Sequence, residues 1–189
     1  VTSMGEYNGE SVFSGATKLK SVEFEYGMLS IPSCALKNCN SVTNVVIPNG
    51  VTKIGSVAFC GCTGLTSMEI PDSVTDIGNS AFYGCTGLTS IEIPSSVTYI
   101  DRYAFEGCTG LTSIEIPGSV ETIRESAFIW CKNLSNVKLN RGLKSIGGDT
   151  FTGTAITSIK IPNTVTSMGE YNGESVFSGA TKLKSVEFE

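Results

Sequence analysis

Five cysteines recur every 23 residues, at Cys39, Cys62, Cys85, Cys108 and Cys131. Glu69, Glu92 and Glu115 keep the same interval, Lys138 continues it, and Lys160 falls one residue short. Glu23 and Glu187 lie further along that column. Ser67, Ser90 and Ser113 run two residues ahead of the glutamates, with Ser158 and Ser185 beyond and Asn44 and Asn136 as variants. Thiols in register suggest disulfides or a metal, carboxylates in register suggest acid–base chemistry, and serines suggest a nucleophile.

Each chemistry can be weighed on spacing alone. Strands of a parallel stack lie roughly 4.8 Å apart, which is inside the Cα range of a disulfide. Stacked side chains nevertheless point the same way and not at one another. Ala16 and Ala180 fill the same slot, keeping the size and losing the chemistry. The cysteine ladder therefore reads as buried, unpaired thiols behaving as small apolar side chains. With seven cysteines, at least one cannot pair internally. There is no histidine, and Cys60-Gly61-Cys62 is the one tight cysteine pair, so no metal site is expected. Without histidine a Ser-His-acid triad is impossible.

Carboxylates about 5 Å apart match the gap of a retaining glycosidase. Here stacking creates that gap automatically, on an open face with no aromatic subsite around it. No catalytic, metal or cofactor residue is expected, and the chain reads as a non-enzyme. The candidate partner-binding residues are Ser67, Glu69, Ser90, Glu92, Ser113, Glu115, Lys138 and Lys160, a stripe whose charge changes sign along its length. A solvated polar face is the plain alternative. Asn133-Leu134-Ser135 is a lone glycosylation sequon in a turn.

The element that must position these residues is a 23-residue unit, seen most clearly from Cys85 to Gly107. Leu88, Ile91 and Ile93 alternate with Ser90 and Glu92, the period-2 pattern of a half-buried strand. Pro94 stops that strand because it has no N–H for the ladder. Val97 and Ile100 form a second inward pair, and Ala104-Phe105 precede a turn at Gly107. One such unit cannot bury its own apolar residues and needs neighbours on both faces. A period between 20 and 29 is that of leucine-rich-repeat solenoids. The expected fold is thus a mainly β, right-handed leucine-rich-repeat solenoid. One parallel sheet of about eight short strands is expected on one side, with turns or extended segments opposite.

The register holds from Cys39 onward. Before it, Val1, Met4, Val12 and Phe13 take inward slots, and the following unit has Glu25 in place of the proline. Asn140 replaces the proline and Thr150 the alanine of the Cys131 unit, one residue is lost near Thr154, and residues 169–175 form an insertion. Residues 1–25 recur letter for letter as 165–189, an offset of 164. The chain is read as one domain, residues 1–189, cut from a longer array. Its first and last units are expected to superpose, and its ends are expected to self-associate.

Composition narrows the partners. Hydrophobic residues make up 40% of the chain and no apolar run approaches the length of a membrane span. A net charge of −5 argues against nucleic acid, which demands clustered Lys and Arg.

The pattern Cys-x-x-Leu-x-x-Ile-x-Ile-Pro-x-x-Val-x-x-Ile-x-x-x-Ala-Phe-x-Gly resembles the BspA-like class of leucine-rich repeats across essentially the whole chain. Its most specific parts are the Ile-Pro corner and the pairs Ala81-Phe82, Ala104-Phe105 and Ala127-Phe128. The resemblance implies a secreted or cell-surface protein acting in adhesion or protein binding, with no catalytic residues to carry over. A structural array or filament built from the 164-residue super-repeat is the alternative, and a spacer for an enzyme domain elsewhere in the parent chain is a third.

Overall fold

The computed structural model describes residues 13–169 and 175–189. The inward slots at Val1, Met4 and Val12 and most of the insertion lie outside the described residues. So does much of the 1–25 unit whose superposition is expected. Among the described residues the chain is a parallel β-solenoid of about seven turns with no helix.

Three lines of hydrogen bonds tie the rungs together. The second, shorter segment of each rung forms a continuous seven-stranded parallel ladder in chain order. Its strands are Ser30–Ile31, Lys53–Ile54, Asp76–Ile77, Tyr99–Ile100, Thr122–Ile123, Ser145–Ile146 and Ser167–Met168. At the Ala-Phe turns the backbone steps from rung to rung, with Phe82 N donating to Ala104 O at 2.7 Å and Phe105 N to Ala127 O at 2.8 Å. The third line is the expected main face, and there the pairing is broken. Ser21–Glu23 pairs with Asn44–Val46, Ser113–Ile116 with Asn136–Leu139, and Ser158–Ile161 with Ser185–Phe188. Segments 67–70 and 90–93 follow the same course with no ladder on either side. The longest continuous sheet therefore runs on the second segments.

Most of these breaks coincide with like charges in the charge column. Glu115 sits opposite Lys138 and Lys160 opposite Glu187 in paired strands. The like-charged neighbours Glu69/Glu92, Glu92/Glu115 and Lys138/Lys160 all fall between unpaired segments. Opposite charges directly across a ladder contribute about 0.2–1 kcal/mol and like charges oppose it by a similar amount. That is enough to decide marginal strand pairing and too little to decide the fold, which rests on the core.

The core is one column per slot. Leu88, Val97, Ile100, Ala104 and Phe105 are fully buried and Ile91 and Ile93 nearly so, as the alternation predicts. Phe59, Phe82, Phe105, Phe128, Phe151 and Phe177 stack through the molecule, with centroids 5.1–5.9 Å apart. Phe13, expected inward, is 36% exposed. Gly110 lets successive rungs approach, since a Cβ there would lie 2.6 Å from Thr86 O. The two departures in the Cys131 unit are compensated. Thr150 is buried but donates to Gly147 O at 2.7 Å. Asn140 has the N–H that proline lacks and donates it to Ile116 O at 3.1 Å.

Candidate binding face

All eight candidate residues are exposed on the main face, brought into one column by the strand period and the rung repeat. Apolar alternation turns Met68, Ile70, Ile91 and Ile93 into the core, which forces Ser67, Glu69, Ser90 and Glu92 outward. Consecutive shallow depressions run along the acidic half. The largest, about 740 Å³, is lined by Ser67, Glu69, Ser90 and Glu92 between Pro71 and Pro94. A neighbour of about 440 Å³ reaches Glu115 and Pro117, and another of about 460 Å³ extends back to Asn44. The trough thus lies over the stretch where the main-face ladder is open.

The column divides into a spent half and a free half. Lys138 Nζ is 2.7 Å from Glu115 Oε1, and Asn140 Nδ2 donates to the same oxygen at 2.8 Å. These donors, Lys138 first, hold the Glu115 carboxyl below the usual carboxylate range. Lys160 pairs with Glu189 at 3.0 Å, and Arg141 holds the other Glu189 oxygen at 2.9 Å. Among the described residues Glu69 and Glu92 have no ion pair. The eight residues therefore do not act alike: two carboxylates face the trough unmatched, while both lysines are engaged within the chain.

The cysteine ladder is buried and unpaired, but its thiols are more than small apolar groups. Cys62, Cys85, Cys108 and Cys131 each donate Sγ–H to the carbonyl 26 residues earlier, at Leu36, Phe59, Phe82 and Phe105, all at 3.1 Å. Burial pushes the Cys62 and Cys131 thiols up to about 12 and raises Cys85 and Cys108 well above their ordinary range. Among the described residues no cluster of ligating side chains could hold a metal ion.

Sequence reasoning passed over a second exposed group. Trp130 stands where other rungs place Gly61, Gly84, Gly107 and Gly153, all with positive φ. Aligning the rungs shows this departure, and a second at Asn38, but not the backbone conformation that makes a bulky residue costly there.

The BspA type leucine-rich repeat region, in six copies, matches residues 5–112 and 52–184. Among solved structures, a leucine-rich repeat protein from T. pallidum is similar at 28% identity and a TM-score of 0.69, over 75% of this chain and 66% of that one. A leucine-rich cell surface protein from Faecalibacterium prausnitzii is 27% identical, with a TM-score of 0.57 over 97% of this chain and 54% of that one. A leucine-rich repeat protein from Bacteroides ovatus shares the fold at 24% identity and a TM-score of 0.69, over 93% of this chain and 56% of that one. The chain spans less than two thirds of the length of each. No curated protein matches it.

Proposed function

The chain belongs to the BspA-type leucine-rich repeat family, and from that premise we propose that it is a non-catalytic, surface-displayed binding and adhesion module. It takes a protein partner on the acidic half of its main face. The observation that carries this reading is the contrast between Glu115, already matched by Lys138, and Glu69 and Glu92, which line an open trough unmatched. Two exposed carboxylates about one rung apart attract a partner that presents Lys or Arg at a similar spacing. Serines and open main-chain groups beside them supply hydrogen bonds to an extended segment. Charge matching of this kind contributes more to selection and association rate than to raw affinity. Extracellular location is supported by the description of the F. prausnitzii relative as a cell surface protein.

Selection of displayed random peptides on the immobilised chain tests the assignment. Recovered sequences should be enriched in Lys and Arg and should lose binding to a Glu69→Lys/Glu92→Lys variant whose melting temperature is nearly unchanged. Equal binding to the double variant would remove the trough from the interface. The letter-for-letter repetition of residues 1–25 supports a second reading, a structural array of 164-residue units. Negative-stain images of the parent chain would separate a fibre from a curved single particle.

A further inference from the structure

Trp130 breaks the rule of its column. In the left-handed position where six other rungs place glycine and one places Asn38, it holds φ at 60° while leaving 48% of its surface exposed. A bulky residue there is a backbone outlier that costs on the order of 1–3 kcal/mol. Gly153, one rung on, seats the ring, because a Cβ at 153 would collide with the six-membered edge of the indole. The turn imposes this φ on each described rung, and at Trp130 it leaves a half-exposed indole seated on Gly153.

That indole is one wall of a depression of about 460 Å³ that shares no residue with the trough on the main face. Tyr83, itself 43% exposed, lines the same depression. Gly84 and Gly107 form the floor, and no atom lies within 4 Å of where a Gly84 side chain would begin. Glu106 stands in the rung between the two aromatics, with Thr109 and Lys132 on the rim. The Glu106 backbone is fixed, its carbonyl accepting from Gly84 N at 2.7 Å and its N–H donating to Tyr103 O at 3.1 Å. Its carboxylate has no ion pair among the described residues, with Lys132 or any other cation. Burial raises its pKa with no cation opposing the shift.

The geometry points to a binding site for a cationic side chain, an arginine of a partner protein inserted between Trp130 and Tyr83 with its charge on Glu106. Tyr83 and Trp130 line the depression from rungs two apart, with Glu106 in the rung between them. Guanidinium is planar, weakly hydrated and stacks on aromatic faces, whereas the compact, strongly hydrated ammonium of lysine gives up more hydration on entering. Cation attraction to indole and phenol faces adds to the carboxylate contact once the group is desolvated. Glycines on the floor leave room for the aliphatic stem to pass over the backbone. The inference stands apart from the reading of the main face, since Glu69 and Glu92 take no part in it.

Trp130 is the single tryptophan of the chain, so its fluorescence reports the site directly. The probe is N-acetyl-arginine-N′-methylamide, with the citrulline analogue as a neutral isostere and maltose as an uncharged ligand with an apolar face. Expected is a saturable change in Trp130 emission with arginine, roughly tenfold weaker with citrulline. The response should be lost in Glu106→Gln and retained in Glu69→Lys/Glu92→Lys. Calorimetric titration of Trp130→Gly in the Glu69→Lys/Glu92→Lys background, which restores the glycine found in six other rungs, should show no binding. Equal response to citrulline, retention of binding in Glu106→Gln, or a response to maltose alone would each overturn the assignment. Loss of the arginine response in the Glu69→Lys/Glu92→Lys variant would place the cation on the main face and overturn it as well.

Discussion

Cys108 donates its thiol proton to the carbonyl of Phe82 across 3.1 Å, joining the cysteine ladder to the phenylalanine stack one rung back. Phe82 O also accepts from Cys85 N at 3.1 Å, so that carbonyl stays satisfied if the thiol is removed. Cys108→Ala should therefore lose about 1–2 kcal/mol, one weak hydrogen bond plus a small void. Urea unfolding measures it. A midpoint equal to that of the parent would show that the bond contributes nothing.

The same burial sets an alkaline limit. A thiol whose folded pKa is raised favours the folded state fully below its unfolded value, near 9.0, and that stability is lost as pH rises through the folded value, about 12 for Cys62 and Cys131. Stability should fall progressively between pH 9 and 12, and a Cys62→Ala/Cys131→Ala variant should show a shallower fall. Parallel curves for the two proteins would assign the alkaline loss to other groups.

Native thiol labelling should modify Cys34 and Cys60, which are half-buried, and leave the five ladder cysteines until the chain unfolds. Seven labelled thiols are expected in denaturant. Fast native labelling of Cys85 or Cys108 would mean that the rungs open locally.

Phe105 has a ring on each side, 5.1 Å from both Phe82 and Phe128, with planes within 3°. Phe105→Ala should lose roughly 3–5 kcal/mol by calorimetry or denaturant titration. A loss below 1 kcal/mol would show that the stack relaxes to close the gap.

Like charges face each other across most breaks in the main-face ladder. Glu92→Lys places an opposite charge between Glu69 and Glu115 and should extend the ladder across segments 67–70 and 90–93. Amide hydrogen exchange in both segments should slow severalfold, with little change in global stability. Unchanged exchange would exclude charge as the cause of the opening.

The 23-residue repeat, the parallel stacking and the inward slots were legible in the sequence because each depends on local alternation that every rung restates. Leu88, Val97, Ile100 and Phe105 are buried where their spacing puts them. The column of Ser67, Glu69 and their equivalents was legible for the same reason: a strand that turns one set of residues inward must turn the next set out. Tertiary structure alone decided which of those residues remain unmatched. Glu115 is held through a cross-rung register with Lys138, and Glu92 meets only like charge. It also decided the backbone at Cys34, Val57, Ser80, Tyr103, Ser126 and Asp149, all left-handed at one position of six rungs. Those side chains share no chemistry that would announce a positive φ; the stacking of one turn on the next imposes it. Trp130 and Glu106 belong to the same class. They are separated by 24 residues, and only the closing of one turn of the solenoid puts a strained indole and an unpaired carboxylate around the same depression.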